Sequence, residues 1–386
     1  MARAVSYYNL SPRNPGDFVR LHSLLSDRLA PHNINLTFMT LHSPCDETFR
    51  QQSRGQFQVH IVPPKFARGL RRLLYLARYI TSNHIDIFHM NYVRYGTASI
   101  LILLTRLLFG TTRFIYQKNS AGRILPSKFN LKRLINPLRL VSYFVHKVVC
   151  ISDSILLNCL NRGLARHKLA KIYLSVDLRR FQGIRDEGRL RSEFAIPPDN
   201  AIVTTIKHAR PEVGREDLLT SLPEVLRVHP ATTFLVVGGG PRTEGLRLLA
   251  RTLGVENHVV FAGGRNDIPQ IVAESYFTID PSPVEAFGNV IVESMAGGKP
   301  VIAVNAWGPK DIIVSGETGI LVEPGAPTRF APAIIDLLSN PAKVKQMGRE
   351  SLTRVARLFS IETRAEQLAA LWLRALNHSG SLPGST

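Results

Sequence analysis

In the stretch SPVEAFGNVIVESMAGGKPVIA (282–303), two carboxylates, Glu285 and Glu293, stand eight positions apart in otherwise apolar text. Glu285 falls in a Pro- and Gly-rich loop. Glu293 falls in a segment where Ile291 with Met295 and Val292 with Ala296 repeat at helical spacing and form a buried face, which turns Glu293 outward above Asn289. A carboxylate can accept from two vicinal hydroxyls at once. The first N–H groups of a helix, here those of Phe287, Gly288 and Asn289, lack intrahelical partners and attract phosphate. Two acceptors beside an anion site suit a ligand that carries both hydroxyls and phosphates. The structural alternative is a solvated glutamate on the helix surface and a loop glutamate capping a helix start.

The elements that must position these groups follow from hydrophobic patterning. Strand-like runs alternate with helix-length segments, the pattern of parallel sheets covered by helices. The first half carries AVSYYNL, INLTFMT, FQVHIV, IDIFHM, RFIYQK, KVVCIS and AKIYLS; the second carries AIVTTIK, TFLVVGG, HVVFAG, YFTIDPS, KPVIAV and TGILVEP. The series restarts near residue 200, after a polar stretch ending in Pro197-Pro198. The expected organisation is α/β: a Rossmann-like doubly wound domain over 1–180, a linker over 181–200, a second such domain over 201–360, and a helix with a loose tail over 361–386. Strand carboxyl ends of the two domains would face a central cleft, the usual ligand site of such sheets.

Length and charge set outer limits. The 386 residues exceed what one core usually serves. Three cysteines, Cys45, Cys150 and Cys159, are odd in number and sit in or beside apolar runs, which reads as reduced thiols in a cytoplasmic protein. No apolar stretch near the N-terminus is long enough for a signal peptide, and the run ASILILLTRLLFG (98–110) is too short for a membrane span and contains Arg106. A net charge of +19 favours an anionic partner: nucleic acid, an acidic membrane surface or a phosphorylated substrate. Two basic amphipathic segments, 66–80 and 127–147, fit the membrane surface, or equally a sheet-covering helix with a charged outer face. In the first, Leu70, Leu73, Leu74 and Ala77 form a stripe with Arg68, Arg71, Arg72 and Arg78 around it. Nucleic acid binding ranks lower, because these segments interleave their cations with Leu and Ile rather than stacking aromatics.

The text around the two glutamates, PSPVEAFGNVIVESMAGGKPVIAVNAWGPKDIIVSGETGILVEPG (281–325), resembles the signature of the group 1 glycosyltransferases. The signature has two glutamates with seven residues between, a small-residue turn, a Pro-Val strand and a G-x-TG-x-LV-x-PG ending. Gly316, Thr318, Gly319, Leu321, Val322, Pro324 and Gly325 match that ending. Segments 234–282 and 147–181 are similar to the same family's nucleotide-side region and to the end of its first domain. The resemblance implies a GT-B fold and a retaining transfer of sugar from an NDP-sugar, of UDP or GDP type, to a sugar, glycan or lipid-linked acceptor. It implies that Glu285 meets the donor sugar's hydroxyls and Glu293 the ribose, with Phe287, Gly288 and Asn289 supplying amides to diphosphate and sugar. Arg265, inside the nucleotide-side segment, joins the substrate-binding candidates. No Asp-x-Asp cluster is present, so no metal is expected. The implied place is the cytoplasm, with peripheral contact at the membrane's inner face. Rival readings are a sugar-nucleotide epimerase of the same fold and an inactive relative.

Three places depart from the family pattern. In TIKHARPEVGREDLL (205–219), where the family supplies an arginine and a lysine to diphosphate, an ungapped match places His208 and Val213, whereas a shift of two places Arg210 and Arg215. Lys207 adds a third cation to this loop. In YLSVD (173–177), Leu174 and Ser175 replace the usual Asn-Gly. The loop 11–25 has one glycine, Gly16, where relatives often have two; it reads as a close-approach site for donor phosphate or as a plain turn glycine. By the same resemblance His89, Asn91, Lys118 and Asn119, at the ends of two first-domain strands, become cleft candidates. His89 also reads as a buried structural histidine. Lys118, ending a buried strand, should find water or an anion.

Overall fold

The computed structural model describes residues 1–377 except 9–14, 42–50, 52, 54, 67, 92–97, 99, 103, 104, 106–111, 120–141, 208–213, 326 and 327. The chain divides into two compact units, residues 1–173 together with 361–386, and residues 174–360.

The first unit is built on β1 (Ala2–Tyr8), β2 (Ile34–Leu41), β3 (Gln58–Val62), β4 (Ile87–Asn91), β5 (Arg113–Lys118), β6 (Lys147–Cys150) and β7 (Leu169–Lys171). They form a parallel sheet in the order β3-β2-β1-β4-β5-β6-β7. The second unit carries β8 (Ala201–Ile206), β9 (Thr232–Val237), β10 (Val259–Gly263), β11 (Phe277–Asp280), β12 (Val301–Val304) and β13 (Gly319–Val322), parallel in the order β10-β9-β8-β11-β12-β13. The strands are short apolar runs because helices cover both faces; all six residues of β9, TTFLVV, are buried. In each sheet the strand order reverses at one point, between β1 and β4 and between β8 and β11, where ligands of doubly wound sheets gather outside the carboxyl ends.

Helix periodicity explains the cores. Helix Arg215–Val228 brings Leu218, Leu219, Leu222 and Val225, and helix Phe330–Ser339 brings Phe330, Ile334 and Leu337, to one cluster with Val203, Phe234 and Val236. Helix Ile361–Asn377 places Ile361, Ala365, Leu368 and Trp372, spaced at four, three and four, in the first unit's core beside helix Pro15–Leu29. Within 181–200 lies a helix, Arg189–Phe194, whose first N–H groups are taken by Glu274: Arg189 N–H and Leu190 N–H donate to its carboxylate at 3.1 and 2.8 Å.

Helix Gly69–Ser82 divides the stripe read from sequence. Leu73, Leu76, Ala77 and Ile80 are buried, whereas Leu70 and Leu74 are 64% and 52% exposed. Four-residue spacing puts Leu70, Leu74 and Arg78 on one outward line, because only one side of the helix covers the sheet. Among the described residues no helix is long and apolar enough to cross a membrane.

Candidate functional site

At the reversal point of the second sheet, the chain leaves β8 at Lys207 and leaves β11 after Asp280. The Lys207 ammonium donates to both Asp280 carboxylate oxygens (3.1 and 3.2 Å), to Ser282 Oγ and to Glu285 Oε2 (2.6 Å). Burial pulls this lysine down, but the charges of Asp280 and Glu285 more than reverse that and hold it above its ordinary value. Asp280 also accepts from the Ser282 amide at 3.0 Å, which fixes the turn through Pro281. Beyond it, the Gly308 amide donates to Glu285 O at 2.8 Å. A Cβ on Gly308 would lie 2.2 Å from Phe287 O, so this backbone approach needs glycine. The Phe287 ring is buried edge-on to Phe359 at 5.8 Å, which leaves its main chain as the part near Glu285.

Gly288 (φ 121°) then turns the chain into helix Asn289–Ala296, whose start has no side-chain cap. Its leading amides stay without intrahelical acceptors. Ile291, Val292, Met295 and Ala296 are buried, as their spacing requires. Glu293 lies half-buried on another face, with Arg180 Nη1 3.6 Å from its Oε1.

Arg215 is turned inward. Its guanidinium donates to the carbonyls of Lys207, Val237 and Gly238, where β8 and β9 end, and it is 2% exposed. Burial lowers it to about 10. Arg215 therefore holds the main chain of Lys207 in place. At Gly214 (φ 73°) a Cβ would sit 2.0 Å from Pro281 O, so the loops after β8 and β11 touch through backbone. Arg210 lies outside the described residues, as do His208 and Val213. Arg265 is engaged by Asp267 (2.7 Å) and Glu193, whose hydrogen bonds raise it above the ordinary arginine value; the structure does not bring it to the Lys207 cluster.

In the first unit Asn91 and Tyr8 face each other across the β1–β4 reversal. Asn91 Nδ2 donates to Tyr7 O at 3.3 Å, and its Oδ1 is buried without a partner. His89 is 1% exposed, edge-on to Trp372, with neither ring nitrogen hydrogen-bonded. Burial, with Arg364 nearby, lowers it to about 3, so it is a neutral imidazole. Lys118, expected to find water or an anion, is 2% exposed instead, and burial lowers it beside Cys159, Arg162 and Cys150. Cys150 and Cys159 are buried free thiols with sulfurs 3.9 Å apart; Cys45 lies outside the described residues. Gly16 sits exposed in the first turn of helix Pro15–Leu29. Among the described residues no group of His, Cys, Asp or Glu could hold a metal.

Sequence reasoning missed Asp280, Ser282 and Arg180. A signal existed for the first two: the acid ending the apolar run FTID, followed by Pro-Ser, stands where a strand's carboxyl end opens onto the reversal point.

The two sheet orders and this site place the chain among GT-B folds. It superposes on an Anabaena protein, Alr3699/HepE, solved in complex with UDP, at TM-score 0.78 and 20% identity, covering 97% of this chain and 100% of that one. It superposes equally on a glycosyltransferase from Rickettsia africae at 0.79 and 18%, covering 98% and 99%. Residues 186–354 match the family model of the glycosyl transferases group 1. Curated relatives include a D-inositol 3-phosphate glycosyltransferase from Segniliparus rotundus, 32% identical over 51% of this chain and 45% of the relative. Another is a GDP-mannose-dependent alpha-(1-6)-phosphatidylinositol monomannoside mannosyltransferase from Mycolicibacterium smegmatis, 31% identical over 51% and 54%. The chain spans about half the length of the curated relatives it matches.

Proposed function

We propose that the protein is a retaining glycosyltransferase that moves a sugar from a UDP- or GDP-sugar to an acceptor bearing a phosphate or carboxylate. The observation that carries this is the single ammonium of Lys207, held by Asp280, Ser282 and Glu285 at the reversal point of the second sheet, beside an uncapped helix start. Two carboxylates against one cation leave a net negative cluster, which would repel diphosphate. Donor binding resolves this if Glu285 exchanges Lys207 for the sugar hydroxyls. Lys207 and the amides of Gly288 and Asn289 are then released to the diphosphate, where they stabilise charge as the leaving group departs. Glu293, relieved of Arg180, takes the ribose hydroxyls. Catalysis is positioning and charge stabilisation, with no metal.

The acceptor class is supported by the relatives' names: inositol 3-phosphate, phosphatidylinositol monomannoside and, in a relative from Bacillus anthracis, L-malate are all anions at neutral pH. A chain of net charge +19 suits them. A membrane-borne acceptor is supported by the outward line of Leu70, Leu74 and Arg78, in a stretch where no Asp or Glu lies between Glu47 and Asp86 while seven Lys or Arg do.

Thermal unfolding with a panel of UDP-, GDP- and ADP-sugars tests the donor. One nucleotide class should raise the melting temperature, by the equivalent of about 2.7 kcal/mol at a hundredfold excess over Kd. No response to any of them would dismiss the reading. The anomeric configuration of the product tests retention. An epimerase would convert the nucleotide sugar with no acceptor present. For the membrane reading, co-sedimentation with vesicles containing phosphatidylinositol should exceed that with neutral vesicles, and Leu70→Gln with Leu74→Gln should abolish the difference.

A further inference from the structure

We infer that Arg364 is a positioning residue: acting through Gln117, it orients the side-chain amide of Asn119 so that its N–H pair is offered to a phosphate or carboxylate oxygen of the acceptor. The inference rests on the glycosyltransferase reading and adds to it the residues that read the acceptor.

The chemistry of the three side chains leaves one arrangement. Arg364, on helix Ile361–Asn377 and 8% exposed, donates through Nη2 to Gln117 Oε1 at 3.1 Å. A guanidinium has only donors, so the Gln117 atom that faces it must be the amide oxygen. The Gln117 nitrogen is then the remaining group, and it donates to Asn119 Oδ1 at 2.7 Å. With its oxygen engaged, Asn119 is left with Nδ2, a pair of donors. That nitrogen is buried and has no partner. Reversing either amide would set two donors, or two acceptors, face to face. The order of donors therefore runs outward from a cation, and each bond is strengthened by the one before it.

Asn119 follows the last residue of β5, and the neighbouring β4 ends at Asn91, whose Oδ1 is likewise buried and unpartnered. Unsatisfied buried polar atoms are rare in folded chains and are costly to keep. These two, of Asn91 and Asn119, stand at the carboxyl ends of adjacent strands next to the β1–β4 reversal, where a doubly wound sheet takes its ligand. Two N–H bonds without an acceptor of their own bond most strongly to an anionic oxygen, such as those of phosphate and carboxylate at neutral pH.

Isosteric variants test this without disturbing the core. Gln117→Glu keeps and strengthens the bond from Arg364 but has no N–H to give Asn119. Asn119→Asp keeps the bond from Gln117 but has no N–H to give a ligand. With UDP-glucose or GDP-mannose as donor and inositol 3-phosphate or L-malate as acceptor, both variants should raise KM for the acceptor about tenfold and KM for the donor less than twofold. Arg364→Lys, still a cationic donor, should lie closer to the parent than Arg364→Met. Unaltered acceptor KM in Gln117→Glu and Asn119→Asp overturns the inference. A second measurement does not depend on turnover: hydrogen exchange of the Gln117 side-chain amide, followed by NMR, should be at least tenfold faster in Arg364→Met than in the parent or in Arg364→Lys. Equal exchange removes the relay whatever the enzyme does. Failure of the parent protein to turn over any nucleotide sugar strikes the glycosyltransferase reading, and the exchange measurement still decides whether Arg364 orients the amides.

Discussion

Lys207 is outnumbered by the acids that hold it, and this makes Glu285 and Glu293 unequal under mutation. Glu285 is tied to the cation by a 2.6 Å bond, whereas Glu293 has a looser contact with Arg180 at 3.6 Å. Glu293→Ala should weaken nucleotide-sugar binding about tenfold, or about 1.4 kcal/mol, as measured by calorimetry. Glu285→Ala should chiefly lower kcat, since the sugar contacts proposed for it would act on the reacting group. Equal donor affinity in Glu293→Ala would count against its ribose role. Both glutamates could be found from sequence because their spacing and neighbours are local properties. The inward turn of Arg215 could not, because its partners are carbonyls at the ends of β8 and β9, which become neighbours only when the sheet forms. The pairing of Arg364 with Gln117, 247 residues apart, was hidden for the same reason.

At the level of elements, hydrophobic patterning carried far. Each of the thirteen strand-like runs read from the sequence overlaps an observed strand, β1 to β13, because a parallel strand covered on both faces must be a short apolar run. Patterning was weaker for helix faces: Leu70 and Leu74 read as one stripe with Leu73 and Ala77, but which side meets the sheet depends on tertiary packing. The loops after β8 and β11 meet through Gly214, and this gives a comparison of two glycines. Both Gly214 (φ 73°) and Gly188 (φ 66°) are left-handed, but a Cβ on Gly188 would meet nothing within 4 Å, and one on Gly214 would strike Pro281 O. Gly188→Ala should cost about 1 kcal/mol from backbone conformation alone. Gly214→Ala should cost at least about 2 kcal/mol, and it should weaken donor binding by displacing the Asp280–Glu285 turn. Matching urea midpoints for the two variants would refute the contact.

For the whole molecule, the first unit contains two neutral histidines in its interior. Burial lowers His22 to about 4 and His89 to about 3. The unfolded chain takes up these protons near pH 6.5 and the folded chain does not, so nothing is lost above pH 7 and stability declines as pH falls from about 6.5 towards 4. His22 alone accounts for about 3 kcal/mol of that decline, at 1.36 kcal/mol per pH unit. Melting temperature against pH should show this slope, and His89→Leu should flatten it; parallel curves would mean that His89 is charged in the folded state.

The helix Ile361–Asn377, whose Trp372 is fully buried in the first unit, separates the two units in time as well as in sequence. Residues 174–360 are one unbroken stretch and can fold as they leave the ribosome. The first 173 residues, although made earlier, must wait for a strip of their interior that is synthesised only after residue 360. At about 5–20 residues per second, the wait is roughly ten to forty seconds. Over that interval the older half is the less finished one, with its apolar sheet face open to chaperones and to other nascent chains.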